Sequence, residues 1–304
     1  MSSQSILITG GTGFLGSALT QRLLQDHYDV VILSRSAEKV RRIFGDRVQA
    51  VTKIEDLSSS SQFKAIVNLA GAGILDQRWS DARKEVLRNS RIKLTEQLLH
   101  WMKDADNPPE VLISGSAIGF YGDQGDETLT ERTPPKPDFA QQLCADWEAS
   151  ALQAESAGVR VCLIRTGLVL GQGGGMLQRM LLPFRLGLGG PIGCGRQWMS
   201  WIHIDDWISI VHAMIESPNM HGPYNATAPA PVTNREFNAT LATVLKSPML
   251  LPMPATVLKL LLGEMAVLVL GSQRVMPERL LADNFQFKYT ELETALRNIL
   301  NPSR

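Results

Sequence analysis

The stretch Ser5-Ile6-Leu7-Ile8-Thr9-Gly10-Gly11-Thr12-Gly13-Phe14-Leu15-Gly16 decides the reading of this chain. Ser5 to Thr9 is a short run, apolar at its centre and rich in β-branched residues, as a buried strand requires. A helical pattern begins at Phe14 and continues to about Gln25. Between them the glycines fall at Gly10, Gly13 and Gly16. The first permits a tight turn, the second lets backbone approach a pyrophosphate, and the third allows helix and sheet to pack closely. The free N–H groups of the helix start then face the anion. A lone glycine triplet also describes an ordinary turn. Its place between strand and helix points to dinucleotide binding, with Gly10, Thr12, Gly13, Phe14, Leu15 and Gly16 forming the phosphate loop.

Working outward, apolar strands alternate with helices. Further strands are expected at Asp29–Leu33, Val48–Thr52, Ala65–Leu69, Val111–Ile113 and Val159–Ile164. A long helix is expected from Ser80, a suitable N-cap, to Lys103, and another from Phe139 to Ala157. Near-continuous apolar strands alternating with helices imply an α/β fold, a Rossmann-type doubly wound parallel sheet covered on both faces. Ten of the 25 glycines lie between Gly167 and Gly195, which marks a loop-rich rim. From Ala226 the pattern is mainly helical. The expected organisation is a Rossmann domain of residues 1–170 with 200–226, and a smaller substrate-side domain of residues 171–199 and 227–304.

Composition narrows the class. The 304 residues carry 30 Lys+Arg and 30 Asp+Glu, and 44% are hydrophobic. That suits a globular chain with a large core and argues against disorder. Zero net charge gives no electrostatic reason to expect a nucleic-acid or polybasic membrane partner. Cys144, Cys162 and Cys194 are odd in number and widely spaced, and the five histidines are scattered, so no disulfide framework or metal site is expected. Met1-Ser2-Ser3-Gln4 leads straight into a strand, unlike a signal peptide. The greasiest stretch, Leu250–Gly271, is interrupted by Lys259 and Glu264 and reads as a half-buried helix rather than a membrane span. Met176, Met180, Met249, Met253 and Met265 read as packing material. The expectation is a cytoplasmic protein acting on a small molecule, with no feature that specifies an oligomeric state.

The second strand sharpens the cofactor. NAD sites place an acid at its tip to hold the ribose 2′-hydroxyl. Here the tip reads Leu33-Ser34-Arg35-Ser36. Ser34 and Arg35 suit a 2′-phosphate, because a guanidinium pairs with phosphate through two parallel N–H bonds. NADP is therefore expected rather than NAD.

These residues, with Asn68-Leu69-Ala70-Gly71, Ser114-Gly115-Ser116-Ala117, Tyr121-Gly122 and Trp201-Ile202-His203-Ile204-Asp205-Asp206, resemble the extended short-chain dehydrogenase/reductase superfamily. A closer resemblance extends over almost the whole chain. It is carried by Ile74-Leu75-Asp76-Gln77-Arg78-Trp79, by Arg165-Thr166-Gly167-Leu168-Val169-Leu170-Gly171, by Leu182 to Gly190, and by Pro252-Met253-Pro254 through Arg297. These look like the atypical NAD(P)-dependent "epimerase family" proteins, which end in a conserved segment of unknown function. The resemblance implies cofactor contacts at Leu69, Ala70, Gly71 and Leu168.

It also implies an Asn, a Ser and a Tyr-x-x-x-Lys, and the chain departs from that set. Ser116 fits. At the start of the helix after Pro137, Phe139 pairs with Leu143 and Ala140 with Cys144, so neither register supplies Tyr and Lys. The Asn position carries Arg91. Where nucleotide-sugar members hold the substrate diphosphate with Arg, this chain has Met199, with Arg196 nearby. The candidate catalytic residues are thus Ser116 and the nearest phenol, Tyr121, each with a structural alternative. Glu85 and Arg91 lie six apart on the expected helix, about 120° round its surface, and one or both can reach the cofactor or simply face solvent. Trp198, Trp201 and Trp207 either line a pocket or pack in the core, and His203 reads as scaffold. Two functions stay open: an NADP-dependent oxidoreductase or sugar-epimerase-like enzyme, and a non-catalytic NADP(H)-binding sensor or assembly protein.

Overall fold

The structure is a computed structural model that describes residues 4–248 and 252–301. Met1–Ser3, Met249, Leu250 and Leu251 lie outside the described residues. Strands β1 Ser5–Thr9, β2 Asp29–Leu33, β3 Gln49–Val51, β4 Ala65–Asn68 and β5 Val111–Ala117 are followed by the short β6 Thr128–Leu129. Then come β7 Arg160–Thr166, β8 Leu168–Leu170, β9 Trp198–Met199, β10 Trp201–His203, β11 Gly222–Ala226, β12 Val232–Thr233 and β13 Arg274–Val275. Seven of them form one sheet in the order β11-β7-β5-β4-β1-β2-β3. Every pairing within it is parallel. The order reverses between β1 and β4, and ligands of doubly wound sheets sit outside the strand ends at that switch point.

The sheet is buried on both sides because its strands alternate. Ile6 and Ile8 face one core with Ile32, Val67, Ile113, Trp207 and Met214. Leu7 faces the other with Val31, Ile66, Leu98, Trp101, Leu112 and Leu163. Helices α1 Phe14–Gln25 and α2 Ala37–Phe44 contribute to the first core. Fully burying each Leu, Ile or Val contributes about 1.5–3 kcal/mol relative to exposure. Removing one side chain therefore costs a sizeable part of a domain's net stability.

The expected long helix is two helices, α3 Asp81–Asn89 and α4 Ile92–Asp104. Ser80 caps the first by accepting from Arg83 N. Tertiary bonds hold the break. Ser90 Oγ accepts from Ala72 N at 3.0 Å and donates to Leu87 O at 3.1 Å. The Arg91 guanidinium donates to Leu87 O and Ala72 O at 3.0 and 3.1 Å. The other long helix, α5 Phe139–Leu152, tightens at its end into a 3-10 turn over Gln153–Ala157. Strand β5 runs four residues past its expected end, so Ser116 lies on a strand rather than in a loop.

Helices α6 Gly175–Arg185, α7 Ile204–Glu216, α8 Asn234–Leu245, α9 Ala255–Leu262, α10 Val267–Leu270, α11 Glu278–Ala282 and α12 Leu292–Leu300 complete the chain. The 255–270 stretch is thus two short helices with a 3-10 turn between them, and Leu260 and Leu261 are exposed. A third core joins Leu177, Leu181, Phe184, Phe237, Leu241 and Leu296 with Leu170 and Trp201. The His203–Asp206 segment ties that core down. Asp206 accepts from Lys288 N and Tyr289 N at 2.8 and 2.9 Å, and His203 stacks on Tyr289 at 3.8 Å. Met265 is buried, while Met253 is exposed and so does not act as packing material.

Candidate active site

The phosphate loop has the geometry its glycines require. Gly10 has φ of +69°, and a Cβ there would lie 2.8 Å from the Leu69 carbonyl oxygen. A Cβ on Gly16 would lie 2.3 Å from Gly10 O, so any other residue forces the helix off the turn. Gly13 is the N-cap of α1 and carries no side-chain cap, which leaves the first-turn N–H groups for a ligand. The side chains of Phe14 and Leu15 point away into packing. Leu15 lies against the first core, and the Phe14 ring lies against Gly171, Gly174 and Gly175. Part of the glycine-rich 167–195 stretch is therefore explained by room for this ring.

A cleft of about 590 Å³ opens beside the loop and is lined by Gly10, Thr12 and Gly13 at one end. Leu69, Ala70, Gly71 and Ala72 form its side, and Ser34 and Arg35 its far end. Lys39 and Lys53 also line that end and were not singled out from the sequence. Lys39 stands four residues after Arg35, on the first turn of α2, and that spacing was the available signal. Ser36 fixes the turn by accepting from Lys39 N at 3.1 Å. Among the described residues none of Arg35, Lys39 and Lys53 is ion-paired, although Glu55 lines the same cleft. The far end offers cationic donors and a hydroxyl, as a 2′-phosphate requires.

The Leu69–Ala72 wall is held by a buried chain of polar groups. Thr9 Oγ1 donates to Asn68 Oδ1 at 2.7 Å and accepts from Leu69 N and Ala70 N, each at 3.1 Å. Asn68 Nδ2 donates to Thr95 Oγ1 at 2.9 Å, and Trp147 Nε1 reaches the same oxygen at 3.2 Å. Arg91 lies under this wall. Its guanidinium lies over the Trp147 ring, 5.3 Å from the centroid, and sits so close to Gly71 that a Cβ there would lie 2.8 Å from Cζ. Burial, with the nearby charge of Arg83, lowers its pKa. Arg91 therefore positions the loop. Glu85 is exposed, accepts from Asn89 Nδ2 on its own helix, and does not line the cleft; Val86 of α3 and its C-cap Ser90 line it instead.

The two catalytic candidates belong to one buried network. Ser116 Oγ donates to Glu148 Oε1 at 2.6 Å. Arg165 grips Glu148 through Nε and Nη2, both at 2.8 Å, and donates to the Tyr121 hydroxyl at 3.1 Å. Burial works against the charge of Arg165, but its bonds to Glu148 outweigh that and raise its pKa. Tyr121 donates to Asn225 Oδ1 at 2.7 Å, and Asn225 N donates to Glu131. Tyr121 is 0% exposed, and burial pushes its pKa up to about 12. With its proton committed and no path to a ligand, it is a core phenol rather than a general acid. Glu148 comes from α5 and Arg165 from β7, 17 residues on, so this pairing is set by tertiary packing.

A second cavity of about 220 Å³ lies at the C-terminal ends of β5 and β7. Ala117, Ile118, Leu168 and Ile74 line it from the sheet side, and Val267, Leu268 and Gln273 close it. Leu168 thus faces this pocket. So does Cys144, at one of the two positions the resemblance offers for Lys, with its thiol pushed up to about 12 by burial. Trp201 and Trp207 are fully buried, while Trp198 donates its indole N–H to Asp126 at 2.9 Å. No group of three or more His, Cys, Asp or Glu able to hold a metal is present among the described residues.

Residues 6–227 match the NAD-dependent epimerase/dehydratase family, and residues 253–299 match a domain of unknown function, DUF1731. A chloroplastic SDR39U1 homologue of the epimerase family from Arabidopsis thaliana is 38% identical, over 98% of this chain and 87% of its own length. The epimerase family protein YfhF of Bacillus subtilis is 36% identical, over 97% and 98%. The crystal structure of human SDR39U1 (isoform 2) with NADPH superposes with a TM-score of 0.89 at 34% identity, covering 98% of this chain and all of that one. UDP-glucuronic acid 4-epimerase from Bacillus cereus, in complex with UDP-glucuronic acid and NAD, shares the fold at 18% identity, with a TM-score of 0.78 and 97% of each chain covered. The chain therefore belongs to the NAD-dependent epimerase/dehydratase family, as an atypical short-chain dehydrogenase/reductase that ends in the DUF1731 segment.

Proposed function

We propose that the protein is a cytoplasmic NADP(H)-dependent oxidoreductase acting on a small molecule in the 220 Å³ pocket, without nucleic-acid or membrane partners. The observation that carries the cofactor choice is the Ser34-Arg35-Lys39 end of the cleft, where no acid stands at the tip of β2. The human relative crystallised with NADPH supports it. The Gly10 and Gly16 cradle fits a pyrophosphate, because each position excludes a Cβ. Among the described residues no helix is long and apolar enough to cross a membrane.

Bound NADPH would supply a hydride, and the chain would orient the substrate and move its proton. Ser116, one residue before Ala117 of the pocket lining, donates to Glu148 and is hydrogen-bonded with the Cys144 thiol, so a substrate hydroxyl would reach its oxygen by displacing that thiol. In the alcohol-oxidising direction, the hydroxyl proton passes to Ser116 Oγ as the serine proton moves to Glu148 Oε1. In the carbonyl-reducing direction, both transfers reverse. Turnover is measured as NADPH oxidation over a carbonyl panel, with Ser116→Ala as control. Loss of turnover with unchanged NADPH affinity supports the assignment; full activity in that variant removes Ser116 from the mechanism. The second reading, a non-catalytic NADP(H) sensor, is favoured by the lack of Lys in both registers, where Leu143 and the weakly acidic buried thiol of Cys144 stand. Tight NADPH binding with no turnover on any carbonyl class would establish it.

A further inference from the structure

Among the described residues, ten large apolar side chains are exposed, and seven of them fall in the two stretches 182–188 and 253–261. Leu182 and Leu186 stand one turn apart on α6, 65% and 64% exposed, and Leu188 follows them. Val257, Leu260 and Leu261 share a face of α9, and Met253 lies just before it. The other three, Val86, Leu152 and Leu281, are scattered over α3, α5 and α11. The two stretches form one face. Met253 N donates to Pro191 O and Met253 O accepts from Gly193 N, at 2.9 and 2.8 Å, which ties the start of α9 to the loop after α6. At the opposite end, Arg179 of α6 donates to Leu75 O and to Asp76 Oδ1 at 3.3 and 2.9 Å. A Cβ on Gly263, just past α9, would lie 3.0 Å from Arg78 Nη2. Helices α6 and α9 therefore run antiparallel between the 187–193 loop and the 75–78 loop.

The seven side chains leave on the order of 700 Å² of apolar surface in water, above the largest patch of a typical monomer and close to the roughly 800 Å² that each partner brings to a standard interface. The two ends of the face differ in charge. Residues 173–193 and 246–262 contain no Asp or Glu. The end at the 187–193 loop carries Arg185 and Lys246, which Ser247 fastens beside it by donating to Phe184 O. Both cations are exposed, and among the described residues neither is ion-paired. The end at the 75–78 loop carries the exposed carboxylates of Asp76 and Glu264, paired with Arg179 and Lys84. Ion pairs this exposed contribute little and can exchange partners.

We propose that a second copy of the chain docks on this face, giving a two-fold symmetric dimer. A two-fold axis lying across the helices turns the partner end for end. The leucines of the two copies then meet, and Arg185 and Lys246 face the partner's Asp76 and the partner's Glu264. An axis along the helices would set the two cationic ends against each other, and like-charge repulsion disfavours it. The interface needs both parts of the chain, α6 from the epimerase/dehydratase region and α9 from the C-terminal segment. That segment also closes the inner, 220 Å³ pocket through Val267 and Leu268, so docking holds one wall of the pocket in place. The proposal is independent of the reaction assigned to that pocket.

Sedimentation velocity of the full chain over about 1–100 µM tests it, because a dimer's population follows protein concentration. The wild type should sediment at twice the chain mass at the upper end and dissociate on dilution. Leu182→Ser with Leu260→Ser should raise the dimer dissociation constant by about a hundredfold or more, since four leucines lose their burial. Both positions are exposed, so the fold should persist, and unchanged NADPH affinity checks that. Val86→Ser with Leu152→Ser, on other faces, should leave the dimer intact. Arg185→Glu should weaken the dimer at low salt, and Glu264→Lys in the same chain should restore it, because the exchanged charges meet across the axis. A chain that stays monomeric at every concentration overturns the proposal, and its pelleting with phosphatidylglycerol vesicles would identify a membrane as what covers the face. A dimer untouched by the leucine pair, or weakened equally by the Val86 and Leu152 pair, overturns it too. Failure of Glu264→Lys to restore the Arg185→Glu dimer overturns the end-for-end arrangement.

Discussion

Replacing Arg35 with Ala tests the cofactor end of the site. Arg35 and Lys39 line the same end of the cleft as the Ser34 hydroxyl. A well-formed hydrogen bond to a charged group contributes about 1.5–3 kcal/mol. Both cations are exposed, so water and salt remove part of that. About 1–2 kcal/mol is left for Arg35, equivalent to a loss of about five- to thirtyfold in NADPH affinity. NADH has no 2′-phosphate, so its affinity should not change. The assay is quenching of tryptophan fluorescence by each cofactor in low and high salt. Wild-type preference for NADPH should shrink as salt rises, and Lys39→Ala should weaken NADPH again on the Arg35→Ala background. An Arg35→Ala protein that keeps its full preference, or that loses NADPH and NADH equally, would refute the phosphate assignment.

Gly16→Ala should abolish binding of both cofactors, because its Cβ would meet Gly10 O at 2.3 Å; isothermal titration of the folded variant checks this. Tyr121→Phe should destabilise the protein by about 1–3 kcal/mol, since Asn225 and Arg165 lose a buried partner, while NADPH affinity stays the same. Urea unfolding and a cofactor titration separate these effects. Glu131 gives a pH signature. Burial raises its pKa above the ordinary glutamate value, and its Oε2 is buried without a partner among the described residues. The folded state therefore binds more protons than the unfolded state above pH 4.5, so this group's stabilising contribution falls as pH rises through its folded pKa. Glu131→Gln should raise the melting temperature at neutral pH, with the gain vanishing near pH 4; a gain independent of pH would contradict this account.

The sequence made the cofactor half of the site legible and left the substrate half obscure, for a physical reason. The strand, the glycine turn, helix α1 and the tip of β2 are local features, and each is fixed by a few neighbouring residues. Ser34 and Arg35 fall at the cleft because β2 ends there. The substrate side depends on long-range partners. The Arg165 fork on Glu148 spans 17 residues, and the Tyr121–Asn225 bond spans 104. The split at Ser90 and Arg91 was invisible for the same reason: Ala72, from another loop, supplies the bonds that hold it open. For Glu85 the spacing left open whether it faced cofactor or solvent, because periodicity gives relative positions on a helix and not which side meets the cleft.

The same long-range bonds explain how the C-terminal segment takes part in the site. Asn225 Nδ2 donates to Met276 O at 2.9 Å, and Arg279 N reaches the Glu131 carboxylate at 3.4 Å. Gln273 Nε2 donates to Ile118 O and Gly122 O, at 3.1 and 3.0 Å. Val267, Leu268 and Gln273 close the inner pocket. The network that immobilises Tyr121 thus also fastens the segment that forms the pocket wall. A phenol free to exchange protons could not serve as that anchor, because its hydroxyl must donate to Asn225 and accept from Arg165 at once. Recruiting the C-terminal segment as a wall and keeping Tyr121 out of proton transfer are, on this geometry, two consequences of one arrangement.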